Sequence, residues 1–128
     1  KWSFIQGDFL SQDTQNTLKE RIQQDSFSSK NHQGKVHLVL SDMLHNVTGS
    51  KSRDHLLSIE LAFSVFDFAK EFLIPEKGSL VIKYIKGEEE KEFIGELKSR
   101  FQTVKLIKPS SSRKESAEIY VVATGFRA

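Results

Sequence analysis

The chain has 128 residues, 38% of them apolar, with 19 basic and 17 acidic groups that leave a net charge of +2. That length and apolar content suit one ordinary domain around one modest core and leave no room for two, while so even a charge balance singles out no partner. No apolar run approaches the roughly 18 residues of a membrane-spanning helix, and the absence of cysteine removes disulfide scaffolds, thiol catalysis and thiolate metal sites.

Helical and extended signals alternate along the chain, which predicts an α/β domain with a largely parallel sheet. Trp2 to Gln6 read as a short strand stopped at Gly7-Asp8, and Asp13 or Thr14 caps a polar helix carrying Leu18 and Ile22. The Ser, Gln, Asn and Lys-rich stretch from Gln24 to Lys35 reads as a loop, and Val36 to Leu40 as a strand. A long helix is predicted from Asp54 to Leu73, where Glu60, Ser64, Asp67 and Glu71 form one polar stripe and the wide apolar remainder calls for packing on a sheet. Ile74-Pro75 ends it and Lys77-Gly78 makes the turn. Ser79 to Ile85 is an almost unbroken apolar run, as expected of a strand covered on both faces, with Lys83 its one interruption. Gly87 and Glu88-Glu89-Glu90 open another helix, whose buried stripe is Phe93, Ile94, Leu97 and Phe101 and whose end carries Lys98 and Arg100. Val104 to Lys108 and Glu118 to Thr124 are the last strands, joined by too few residues for a helical crossover and so predicted to be antiparallel.

Three positions stand out chemically. Asp42 follows the strand ending at Leu40, at the carboxyl edge where open α/β sheets place ligands, or else it simply closes the turn. Lys83 lies in an apolar strand, where an ammonium must be paired, must reach a polar cleft, or must snorkel to the strand end. Glu118 heads the final strand, a common place for an acid, and only a partnership with Lys83 would single it out. The glycines make neither a dinucleotide fingerprint nor a P-loop, and His32, His37, His45 and His55 are never spaced as zinc ligands, so no metal site is expected. Asn46-Val47-Thr48 is formally a glycosylation acceptor with no secretory feature beside it. Lys98, Arg100, Lys105, Lys108, Arg113 and Lys114 cluster near a serine-rich loop, which is either a solvated face or a surface for a phosphate backbone.

Four segments then combine: Gln6-Gly7-Asp8-Phe9, Leu40-Ser41-Asp42-Met43 with Asn46 and Gly49, Gly78 to Lys83, and Lys108-Pro109 through Ser112-Arg113-Lys114-Glu115-Ser116 to Glu118-Ile119-Tyr120 and Gly125. In this order and at these separations they resemble the FtsJ/RrmJ family of ribosomal RNA 2'-O-ribose methyltransferases, over essentially the whole chain. Gly87-Glu88-Glu89-Glu90 and Arg53-Asp54-His55 resemble the mitochondrial branch more than the bacterial one, which favours a mitochondrial over a cytoplasmic location. The resemblance implies a Rossmann-like methyltransferase fold, mostly parallel with an antiparallel C-terminal strand, that uses S-adenosyl-L-methionine. It implies that Asp8 faces the cofactor's adenine with Phe9 beside it, and that Asp42 also lies at the cofactor. It places Asp42, Lys83 and Glu118 on three members of the family's catalytic Lys-Asp-Lys-Glu set; with such a substrate, the basic loop around Lys108, Arg113 and Lys114 is expected to meet the phosphates of ribosomal RNA or a large-subunit particle. Lys83 is then expected to orient the 2'-hydroxyl, acting as a base only with a second cation nearby.

The family's glycine-rich loop and its first catalytic lysine have no counterpart in these residues, and His45 stands where the family has proline. The expectation is therefore that residues 1–128 are the C-terminal two thirds of a single methyltransferase domain, lacking its first two strands and inactive and poorly stable by itself. The other readings are a non-catalytic RNA-binding or ribosome-assembly module derived from that fold and, more remotely, an unrelated nucleotide-binding α/β domain.

Overall fold

A computed structural model describes residues 11–26, 35–42, 48–108 and 117–128. The chain divides into two compact units, residues 1–36 and 37–128. In the first unit, helix α1 spans Gln12–Ser26, starting one residue before Asp13 and running two past Gln24, where the sequence suggests a loop. Thr17 Oγ1 donates to the Asp13 carbonyl at 3.0 Å within it. The predicted strand from Trp2 to Gln6 lies outside the described residues.

The second unit holds β1 (Leu38–Ser41), α2 (Lys51–Phe72), β2 (Ser79–Ile85), α3 (Glu90–Arg100), β3 (Phe101–Ile107) and β4 (Glu118–Phe126). The sheet order is β1-β2-β4-β3. β1 and β2 are parallel, and β4 runs antiparallel to both of its neighbours. Three strands thus share one direction and the C-terminal strand opposes them, so the neighbouring pairs are mixed rather than largely parallel. β4 runs antiparallel to β3 because the short connection from β3 permits only a reversal, and it lies between β3 and β2.

Helix α2 begins at Lys51, three residues before the predicted start, because Ser50 caps it, its Oγ accepting from the Arg53 N–H. It ends at Phe72, with Leu73 extended ahead of Ile74-Pro75, as the residue preceding a proline disfavours the helical region. Glu60, Asp67 and Glu71 are exposed as their stripe predicts. α2 packs on β2, and α3 on β3.

Strand alternation separates two faces. Leu80, Ile82 and Tyr84 of β2 and Ile119, Val121 and Ala123 of β4 are buried, while their neighbours are half-buried. Phe93 of α3 sits at the centre of the covered side, with ring centroids 5.1 Å from Phe63, 5.7 Å from Tyr84 and 6.5 Å from Phe66. Phe66 continues the cluster to Phe101, and Phe101 to Phe126. Phe101 is buried as its pattern requires, yet it is the first residue of β3 rather than the last of the helix: its backbone is extended and its N–H still bonds to the Leu97 carbonyl. The chain passes from α3 into β3 with no intervening loop, and β3 starts three residues before Val104. Burial pushes the Tyr84 phenol far up, and its hydroxyl donates to the Glu90 carboxylate.

The turn after β2 rests directly on α2. A Cβ added at Gly87 would run into the imidazole of His55, which cannot swing aside because both ring nitrogens are hydrogen-bonded, to Ile85 and Glu89. Gly87→Ala is expected to lower stability by about 1–3 kcal/mol, the usual range for overfilling a packed site. Urea denaturation followed by circular dichroism reads this, and an unchanged midpoint would show that the turn yields.

Candidate active site

β1 and β2 are in register from Leu38↔Ser79 to Ser41↔Ile82, so the residue after β1, Asp42, comes level with Lys83. On its other side Lys83 pairs with Tyr120, and Ile85 with Glu118. Because side chains alternate, Lys83, Glu118 and Tyr120 share the face opposite the Phe93 core. Sheet register alone therefore brings together residues far apart in the chain, at the carboxyl ends of β1 and β2.

Lys83 Nζ lies 2.7 Å from Asp42 Oδ1 and 3.9 Å from Glu118 Oε2. Tyr120 donates its hydroxyl to the same Asp42 oxygen at 3.0 Å, and its ring centroid is 5.9 Å from Nζ. The Lys83 side chain is only 17% exposed, against 60% for Asp42 and 37% for Glu118. Of the readings open to Lys83, pairing is the one realised: the side chain is largely buried and its ammonium bonds to Asp42, with Glu118 a second carboxylate nearby. The hydrogen bond to Asp42 raises the Lys83 pKa, burial opposes this, and the charges of Asp42 and Glu118 add to the rise. The Lys83 and Tyr120 hydrogen bonds hold the Asp42 carboxyl below its usual value, and the bond to Asp42 raises the Tyr120 phenol. The site thus holds an ammonium, at least one firmly ionised carboxylate and a neutral phenol near neutral pH.

Tyr120 was not among the residues singled out from sequence. The signal for it is its spacing of two from Glu118, which puts both on one face of a strand. Lys108 follows the end of β3 and is exposed, while Asp8, Phe9, Arg113 and Lys114 lie outside the described residues. Among the described residues no group of three or more His, Cys, Asp or Glu side chains is placed to hold a metal ion.

The profile of the family described as FtsJ-like methyltransferase matches residues 1–126. The chain belongs to the FtsJ-like methyltransferase family. Within that family it is similar to the ribosomal RNA large subunit methyltransferase E of Paramagnetospirillum magneticum, 44% identical over 123 residues, covering 96% of this chain and 46% of the relative. The protein of the same name from Gluconobacter oxydans is 40% identical over 123 residues, covering 96% of this chain and 42% of the relative. Among solved structures, a ribosomal RNA methyltransferase from Plasmodium falciparum superposes with a TM-score of 0.76 at 28% identity, covering 96% of this chain and 63% of that one. The chain spans about half the length of the curated relatives it matches. These FtsJ-like relatives give the mitochondrial branch no support. Among the described residues no helix is long and apolar enough to cross a membrane.

Proposed function

We propose that this chain carries catalytic residues of an S-adenosyl-L-methionine-dependent ribosomal RNA 2'-O-ribose methyltransferase, with residues 1–128 belonging to one Rossmann-like FtsJ domain. The observation that carries this reading is the joining of Lys83 to Asp42 and Glu118 at the carboxyl edge of the sheet, in a member of this family. S-adenosyl-L-methionine, when bound, supplies a methyl group on a positively charged sulfur. The donor set here suits it: Asp42 is a partly exposed carboxylate kept ionised by its neighbours, which favours a nearby cation. Among the described residues, Asp42 is the one that would hold it.

The chain's own residues fix and polarise the accepting hydroxyl. Lys83 keeps its proton, so its role is to donate a hydrogen bond to the ribose 2'-oxygen and stabilise the charge that develops there as the hydroxyl proton passes to solvent water. Asp42 and Glu118 aim the ammonium. Base action by Lys83 is disfavoured, because both acids stabilise the charged form. The test of the function is transfer of labelled methyl from S-adenosyl-L-methionine to ribosomal RNA or large-subunit particles by the protein as its source makes it. No incorporation into either substrate favours the non-catalytic RNA-binding module.

Two further results follow from this reading. With its pKa raised above the ordinary lysine value of about 10.4, Lys83 stays charged from about pH 6 to 9, so the rate of methyl transfer should show no Lys83 ionisation in that window. A limb rising with pH there and lost in Lys83→Arg would establish base action instead. For RNA contact, Lys108, Arg113 and Lys114 are proposed to meet phosphate. The double substitution Arg113→Ala and Lys114→Ala should weaken binding and reduce the slope of log affinity against log salt by up to about 2. Unchanged affinity would remove these residues from the interface.

A further inference from the structure

α2 carries three buried polar side chains close to its start, Asp54, His55 and Ser58, in a helix whose other buried positions are apolar. Such groups cost stability unless every one is satisfied, so their partners show what they hold. His55 Nδ1 is 2.6 Å from the Ile85 carbonyl, and the Glu89 N–H donates to His55 Nε2 at 3.0 Å. A carbonyl only accepts and an amide N–H only donates, so the ring hydrogen is on Nδ1 and Nε2 is the acceptor. Ser58 Oγ accepts from the Ile85 N–H at 2.9 Å and donates to the His55 carbonyl at 2.9 Å. Asp54 accepts from the Thr48 N–H and hydroxyl and from the Gly49 N–H.

Both backbone groups of Ile85 are therefore bound by α2, two residues beyond Lys83. β1 accompanies β2 only as far as Ser41↔Ile82. Past that point, two side chains of α2 supply the hydrogen bonds that a neighbouring strand would give. The end of β2 is thus pinned where it must carry Lys83 to Asp42. A strand end released on the β1 side at Ile85 would be held by β4 alone, through the Ile85↔Glu118 pair and the Lys86 N–H to the Ala117 carbonyl, only two residues of about 3.3 Å each from Lys83, close enough for the ångström shift of the ammonium that matters for catalysis.

We propose that His55 and Ser58 are positioning residues, which clamp the carboxyl end of β2 and so hold Lys83 against Asp42. Neither touches Asp42 or Glu118 in any bond described, and their effect passes through the backbone of Ile85. The catalytic consequence rests on the methyltransferase reading above, whereas the consequence for Lys83 itself does not.

The test uses the protein as its source makes it, with His55→Leu, Ser58→Ala and His55→Asn, the last keeping a donor for the Ile85 carbonyl. The Lys83 titration is followed by NMR with 13C-labelled lysine, its signal assigned by its loss in Lys83→Arg. Asp42, Glu118 and Tyr120 are the titratable groups facing it. In His55→Leu and Ser58→Ala, Lys83 is expected to titrate closer to the ordinary lysine value of about 10.4, and kcat to fall roughly 10- to 100-fold with KM unchanged. His55→Asn should behave as wild type on both measures. A wild-type Lys83 titration and kcat in folded Ser58→Ala and His55→Leu, with only the melting temperature lowered, would overturn the proposal. Should Lys83 shift while even the wild type transfers no methyl, the positioning role holds and the methyltransferase reading is what fails. If His55→Leu does not fold, Ser58→Ala carries the same comparison.

Discussion

On the proposed methyltransferase function, Lys83→Ala should reduce methyl transfer to ribosomal RNA by roughly 10²–10³-fold, the loss expected when a single donor to a developing oxyanion is removed. Lys83 is largely buried, is fixed by Asp42 at 2.7 Å and has Glu118 at 3.9 Å, so little reorganisation is needed to present its remaining hydrogens to a substrate oxygen. Alanine removes the donor and leaves Asp42, among the described residues, with the Tyr120 hydroxyl. Lys83→Arg keeps the charge but replaces a compact ammonium by a planar fork, and should recover only part of the rate. Tyr120→Phe should change the rate little, since Lys83 still holds the same Asp42 oxygen. RNA affinity should survive Lys83→Ala, as one cation among several contributes little to a phosphate footprint. Single-turnover methylation with saturating RNA separates the two effects. A Lys83→Ala protein that is folded and transfers methyl within a factor of ten of wild type would remove Lys83 from the chemistry.

Phe93→Ala should cost about 3–5 kcal/mol of stability, the range for truncating a fully buried aromatic ring. Phe93 has no exposed surface and joins α3 to α2 through Phe63 and Phe66 and to β2 through Tyr84. Its edge-to-face contacts add to the apolar area it buries, and three rings around one cavity cannot all collapse inward. With roughly 3–5 °C lost per kcal/mol at a length between the small and the larger domain classes, the melting temperature should fall by about 9 °C or more. Phe93→Leu, which refills most of the space, should lose far less. A fall of only a few degrees in Phe93→Ala would mean that the cluster repacks and that the sheet holds α3 without it.

The pattern of side chains made the elements legible where packing obeys it. The polar stripe of α2 and the apolar run from Ser79 to Ile85 each point to one element, and β2 has the predicted bounds. The misplaced boundaries trace to local chemistry: Ser50 starts α2 early by capping it, and Phe101 satisfies a helical stripe while belonging to a strand. Asp42, Lys83 and Glu118 could be nominated one at a time from position and from family resemblance. Their meeting could not be derived from spacing, because it depends on which strands are neighbours and in what register. Tyr120 shares a strand face with Glu118 by its spacing of two, but its bond to Asp42 depends on the same register. His55 and Ser58 were hidden for a different reason: a histidine and a serine in a helix suggest surface, and only the strand end they grip explains why they are inside.

The order of strands also governs when the site comes into being. β2 and β3 emerge from synthesis well before β4, yet β4 is the strand that lies between them and bonds to both. Until it arrives, β2 has one open edge, and Lys83 lacks Glu118 and Tyr120. The nascent chain accordingly carries a half-built sheet with an exposed seam, a state open to mispairing, until the final strand slots in like a keystone. Assembly of the Lys83, Asp42, Glu118 and Tyr120 cluster therefore waits until β4 has joined the sheet.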